Sequence, residues 1–289
     1  MQKMIFTCLV FLVGTISFGQ HTTSHQQHLD VLQYVHKINI NDTNNIIQGN
    51  STLVVNLFQK DSFYLDLEAL GKDGKGMKVT SVLQKTSEYF PCIYTQRGEK
   101  LVIYTYKIPG IDPKQYFKIT YEGIPRDGLV IGENKYGNRT FFGDNWPNRA
   151  HQWFPCIDHP SDKALVDFYI TGPKHYSFIA NGKLIEEKID ESKKTKTTFY
   201  KSYKVLPTKV MVIGAADFSI EKLETEHDFP LESWVYPENK KEGFTDFALA
   251  DSILHFFENK VARYPYSKLA NVQSTTRFGG MENASCIFY

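Results

Sequence analysis

From Leu29 to about Tyr121, apolar and polar positions alternate in short runs broken by turn residues. Val31, Gln33, Val35, Lys37, Ile38 and Ile40 alternate imperfectly, and residues 53–58 and 63–67 are compact runs of β-forming side chains. The segment Gly71-Lys72-Asp73-Gly74-Lys75-Gly76 reads as a turn. Further runs follow at 101–106 and 116–121. Short, evenly spaced strands with turn signals between them predict a β-sandwich or related layered sheet. The pattern resumes at 165–170, 176–180 and 205–216, with Pro207 near the start of the last run. Residues 188–198 are charged and poor in apolar side chains, which predicts a solvated hairpin tip. The β unit is expected to close near residues 217–220.

Beyond Trp234-Val235-Tyr236-Pro237 the period changes. Phe244, Phe247, Ala250, Leu254, Phe257 and Val261 recur at spacings of three or four, the face of a helix. Leu249, Ile253 and Phe256 widen that face, so the helix is expected to be buried on much of its circumference. Pro265 ends it, and residues 269–275 read as a short strand leading to Gly279. The chain is therefore expected to be mainly β over residues 20–222, with an α+β segment at 223–289.

Composition narrows the picture. Of 289 residues 42% are apolar, enough for one large or two ordinary domains with a sizeable core. Lys and Arg number 33 against 32 Asp and Glu, so no basic stripe points to nucleic acid as a partner. At the N-terminus Lys3, an apolar run at 4–16 and Ser17-Phe18-Gly19 have the order of a secretory leader cleaved before Gln20. That implies residues 1–19 as a signal peptide and a secreted or periplasmic protein. The run is too short for an ordinary membrane span, so no stable span is expected after cleavage; an uncleaved anchor is the alternative. His21, His25 and His28 follow in what reads as a polar, mobile start to the mature chain. Cys92, Cys156 and Cys286 are odd in number and widely spaced, which is not a disulfide framework.

The most informative segment is Gly279-Gly280-Met281-Glu282-Asn283. A fixed carboxylate such as Glu282 can hold a free α-ammonium group through charge-assisted hydrogen bonds. Gly279 and Gly280 carry no Cβ, so a ligand backbone can approach them closely and pair as an added strand. Taken alone, the same five residues also fit a Gly-Gly turn with a solvated Glu. Two other segments change the weight. Phe154-Pro155-Cys156-Ile157-Asp158-His159-Pro160-Ser161-Asp162-Lys163-Ala164 resembles the F-P-C-x-D-x-P-x-x-K-A segment of the aminopeptidase N family of zinc aminopeptidases. Tyr264-Pro265-Tyr266-Ser267-Lys268-Leu269 is similar to that family's Y-P-x-x-K-L.

The resemblance covers nearly the whole chain after the leader. It implies an N-terminal β-sandwich or saddle-like domain followed by the α+β opening of a thermolysin-like catalytic domain. It also implies a peptide substrate with a free N-terminus, held by Gly279, Gly280, Met281, Glu282 and Asn283. Asp144 falls where many members carry a polar residue that helps hold the amine. Asp144 and Trp146 read either as a second carboxylate and a pocket wall or as an ordinary turn with a packed Trp. The family's zinc is bound by H-E-x-x-H on a helix and a later Glu, and none of the nine His here precedes a Glu. His151 and His159 read as structural. Zinc is thus implied for a longer parent, with no ligands in this chain, which alone is expected to be inactive. The alternative is a non-catalytic relative that uses the β domain as a protein-binding scaffold.

Overall fold

The computed structural model describes residues 29–58, 61–106, 113–277 and 279–289. The leader and His21, His25 and His28 lie outside the described residues. The chain lays down β1 (Leu29–Asn39), β2 (Ile47–Leu57), β3 (Ser62–Asp66), β4 (Gly76–Lys85), β5 (Tyr89–Pro91), β6 (Tyr94–Arg97), β7 (Lys100–Tyr104) and β8 (Lys114–Ile124). Next come β9 (Leu129–Glu133), β10 (Arg139–Gly143), β11 (Lys163–Pro173), β12 (Ser177–Ala180), β13 (Lys183–Asp190) and β14 (Thr195–Lys201). The short β15 (Leu206–Pro207), β16 (Ile213–Ala216), β17 (Ser219–Leu223) and β18 (Leu231–Val235) precede α1 (Lys240–Phe247) and α2 (Ala250–Lys260). β19 (Leu269–Val272) and β20 (Cys286–Phe288) complete the described elements.

The architecture is mainly β, as the alternation predicts. The largest sheet runs β13-β14-β11-β1-β2-β8-β4-β5, with β15 also paired to β11. Its centre joins β1 to β11 in parallel, while β1–β2 and β2–β8 are antiparallel. The imperfect alternation of β1 has a structural cause. A bulge between Val31 and Gln33 shifts the phase, so Leu29 and Val31, then Tyr34, His36 and Ile38, all face the core. Two smaller sheets, β3-β7-β6 and β12-β16-β10-β9, complete the β unit. β17-β18-β19-β20 forms a separate sheet that is parallel over its last three strands. Val272, Cys286 and Phe288 from this sheet join the same buried cluster as Phe142, Met211 and Ile213. The two units therefore share one core, and Phe142 meets Phe288 edge to face at 5.3 Å.

Three expectations need correction. The single helix is two, interrupted at Ala248-Leu249. α1 docks where Gly243 leaves room for Val235, whose Cγ1 lies 2.6 Å from where a Cβ would stand. α2 instead docks through Leu254 onto Leu231 and Leu269. The helical face is also not broadly buried: Ile253, Phe256, Phe257 and Val261 are each more than half exposed. Periodicity reports an apolar stripe but not what covers it. Finally, residues 188–198 are mostly strand, and only 191–194 form the tip between β13 and β14. The exposed side chains of β13 mark a sheet edge, where charge blunts pairing with other chains.

Candidate functional site

Two buried amides and one buried ammonium hold the segment after Gly280. Asn181 sits just past β12. Its Nδ2 donates to the carbonyls of Val210 (2.8 Å) and Ala284 (2.7 Å), and its Oδ1 accepts from the Val212 amide (2.6 Å). The Gly182 amide donates to Ser285 Oγ at 2.7 Å. Lys268, only 2% exposed, donates from Nζ to the carbonyls of Ala180 (2.9 Å) and Ser285 (3.1 Å) and lies over the Tyr200 ring. Burial lowers the Lys268 pKa, against a smaller opposing pull from Cys286 and Glu232. Ser285 is one of only two non-glycine residues at positive φ among those described, so these bonds fix an otherwise unfavourable turn.

The clamp shapes a hairpin. Met281 and Phe288 exchange backbone hydrogen bonds at 2.8 and 3.0 Å, and Asn283 and Cys286 close the turn between them. Asn283, Ala284, Ser285 and Cys286 are buried, whereas Glu282 is exposed. Burial pushes the Cys286 thiol up to about 11. Glu282 lines a largely apolar cavity of about 450 Å³ together with Asn283, Val210, Leu254, Phe257, Tyr264, Tyr266 and Tyr289. Burial first, and the Glu282 charge second, raise the Tyr289 phenol above its ordinary value. A Cβ placed on Gly279 or Gly280 would meet no described atom within 4 Å. Packing within the described chain therefore does not require glycine there.

Asp144 is in a different setting. It follows β10, is 1% exposed and does not line the Glu282 cavity. Its Oδ1 lies 2.5 Å from Arg149 Nη2, and Arg149 also reaches Asp127 at 3.1 Å and the Trp146 carbonyl at 2.8 Å. Gly128, at φ 74°, accepts the Asp144 amide while facing the Arg149 carbonyl so closely that a Cβ would stand 2.1 Å away. Asp144 Oδ2 is buried without a hydrogen-bond partner. Trp146 is 49% exposed, so it is not a packed core residue. Neighbouring Asn145 does the bracing: it donates to the carbonyls of Thr208 and Met211 and accepts from Trp153 Nε1.

His151 and His159 are held by neighbouring side chains. The His151 ring bonds Asp158 at 2.7 Å and Gln152 at 2.9 Å. Burial pulls its pKa down, yet Asp158, with the Glu99 and Asp66 charges adding, leaves it raised. His159 bonds Ser161. The residues lining the Glu282 cavity include no His and no Cys, and Glu282 is their only carboxylate. A zinc ion needs three or four protein ligands, so the described residues around Glu282 do not fit one. Sequence reasoning missed Asn181, and it quoted Lys268 only as part of a motif. The signal for Lys268 was a lysine between the apolar Tyr266 and Leu269.

Residues 30–208 match the family described as the Peptidase M1 N-terminal domain, and the chain belongs to that family. Human glutamyl aminopeptidase is 31% identical over 148 residues, half of this chain but 15% of that protein. The rat enzyme is 27% identical over the same length. Among solved structures, an M1 zinc metallopeptidase from Deinococcus radiodurans superimposes with a TM-score of 0.72 at 20% identity, covering 91% of this chain and 60% of that one. Native yeast LTA4 hydrolase gives a TM-score of 0.75 at 18% identity, covering 90% of this chain and 40% of that one. The chain thus spans less than two thirds of each, and the structural likenesses establish its fold. Among the described residues no helix is long and apolar enough to cross a membrane.

Proposed function

We propose that this chain is the N-terminal portion of a secreted or periplasmic zinc-dependent aminopeptidase that removes N-terminal residues from peptides. The observation that carries the reading is Glu282: an exposed carboxylate at the rim of an apolar cavity, held by a turn that Asn181 and Lys268 fix from behind. Glu282 binds the substrate α-ammonium, and the open backbone at Gly279 and Gly280 receives the peptide main chain. Met281 and Asn283 hold the hairpin in register. Asp144, buried against Arg149 and outside the Glu282 cavity, braces the turn rather than adding a second amine-binding carboxylate. A mutant of the Deinococcus enzyme has been solved with a Tyr-Ser-Ala substrate, which supports a peptide ligand for this fold.

A zinc ion in a longer parent would supply the chemistry that makes water nucleophilic near neutral pH, and its ligands would come from outside this chain. This chain orients the substrate and supplies no ligand to that ion, so alone it is inactive. The competing reading, a non-catalytic scaffold, draws on the exposed apolar side chains of α2. The coding frame beyond the Tyr289 codon separates the two. A frame encoding H-E-x-x-H and a later Glu supports the aminopeptidase. A frame without them favours the scaffold. Hydrolysis of an aminoacyl-arylamide by the chain alone would refute the division of labour proposed here.

A further inference from the structure

We propose that His227, Asp251 and His255 form a second, zinc-class divalent metal site, which staples the loop between β17 and β18 to α2. One ligand atom from each residue lies within 4.8 Å of the others. His227 Nε2 is 3.4 Å from Asp251 Oδ1, and His255 Nδ1 is 3.5 Å from that same oxygen; Nδ1 also lies 3.1 Å from the Asp251 carbonyl, a hydrogen bond it gives up when it ligates. Two donors on a tetrahedral zinc stand about 3.4 Å apart, given metal–ligand distances of about 2.0–2.2 Å. The spacing is therefore that of one coordination edge.

The hydrogen-bonding state of His227 and Asp251 points the same way. The His227 side chain is 6% exposed, and its Nε2 is buried with no hydrogen-bond partner. Asp251 Oδ1 is likewise buried and unbonded. Leaving two such polar atoms facing each other is costly. A cation between them satisfies both. Glu258 supplies the outer support: its Oε2 lies 3.3 Å from His227 Nδ1, and its Oε1 accepts the Tyr264 amide at 2.7 Å. A carboxylate at the far ring nitrogen leaves Nε2 as the ligating atom and fixes the ring. His255 is 43% exposed in its side chain, so the site opens to solvent on that side. Two imidazoles and one carboxylate suit zinc better than calcium or magnesium.

This site is separate from the Glu282 cavity. Asp251, His255 and Glu258 lie on a stripe roughly 100° around α2 from Ala250, Leu254 and Phe257, which line that cavity. A metal here holds α2 as a cavity wall and takes no part in hydrolysis.

The test is a calorimetric titration of the metal-free chain with Zn²⁺, repeated with Co²⁺ read by visible absorption. Stoichiometric binding, intense tetrahedral Co²⁺ bands and a raised melting temperature are expected. Asp251→Asn and His255→Ala should each weaken zinc binding roughly tenfold or more. His255 is half-exposed, so its variant should keep the metal-free melting temperature and circular dichroism of the parent chain. Zinc held by His21, His25 and His28 would survive both substitutions. No binding, or equal affinity in the His255→Ala chain, overturns the site and leaves a metal-free His227 ring packed between Asp251 and Glu258. Either result is independent of whether the parent is a peptidase.

Discussion

The side-chain amide of Asn181 donates to the carbonyl of Ala284 across 103 positions of sequence, at 2.7 Å and in full burial. That one bond joins the β unit to the hairpin bearing Glu282. The same amide satisfies Val210 and Val212, so three backbone groups depend on it. Asn181→Ala should destabilise the chain by about 2–4 kcal/mol, because the orphaned groups stay buried. Urea unfolding at pH 7 measures this; a loss below about 1 kcal/mol would show that water replaces the amide.

Glu282 gives the opposite expectation. It is exposed and makes no described ion pair, so Glu282→Gln should change stability by no more than about 0.5 kcal/mol. In the aminopeptidase proposed above, the same substitution should lower kcat/KM for an aminoacyl-arylamide by roughly a hundredfold, because it would remove a charge-assisted bond to the ammonium. Steady-state kinetics beside a thermal melt separates the two effects. Unaltered kinetics would remove Glu282 from amine binding.

Asp144→Ala should cost about 3 kcal/mol, since it leaves Arg149 as a poorly exposed cation without its closest partner. Arg149 keeps Asp127 at 3.1 Å, which limits the loss. Guanidinium unfolding of the variant reads the cost. A stable variant that has lost affinity for an amino-acid amide would instead mark Asp144 as a ligand-binding carboxylate.

Two buried groups bend the stability profile in opposite senses. Burial lowers His36 to about 3, so the folded chain keeps it neutral while the unfolded chain protonates it near 6.5. Its contribution is complete above about pH 6.5 and falls as pH drops towards 3, by about 1.4 kcal/mol per unit in that window. Burial raises Asp162 to about 7, with the Asp30 charge adding to it. The folded chain keeps that proton where the unfolded chain loses it near pH 4, so stability falls as pH rises from about 4 to 7. His36→Phe should flatten the acid limb. Asp162→Asn should stabilise the chain at pH 8 by roughly 2 kcal/mol and have little effect at pH 4. Chemical unfolding at pH 4.5, 6 and 8 checks both, and unchanged slopes would mean neither group titrates on unfolding.

Local pattern made the strands and the apolar face of α2 legible, because a period of two or 3.6 is written in consecutive residues. The bulge in β1 was visible only as broken alternation, since the insertion becomes evident once β2 is aligned beside it. The exposure of Phe256 and Phe257 was hidden, as hydrophobicity does not say which surface it meets. Glu282 and its glycines stood out as a compact motif. The residues that fix them did not: Asn181 resembles any turn amide until Ala284 is brought against it. His227 and His255 were equally silent, being separated by β18 and α1 and lacking any short metal-ligand spacing.

The parallel pairing of β1 with β11 sets an order on the birth of the molecule. β1 is laid down first and finds β2 at once, yet its other edge has no partner until β11 exists, well over a hundred residues later. A growing chain therefore carries an open strand edge until residue 173 has been added, the kind of edge that recruits strands from other molecules. Closing it demands a large loop, which slows folding relative to hairpin formation. The centre of the largest sheet thus stays unsealed until β11 arrives, and it is a part in need of shelter on the way.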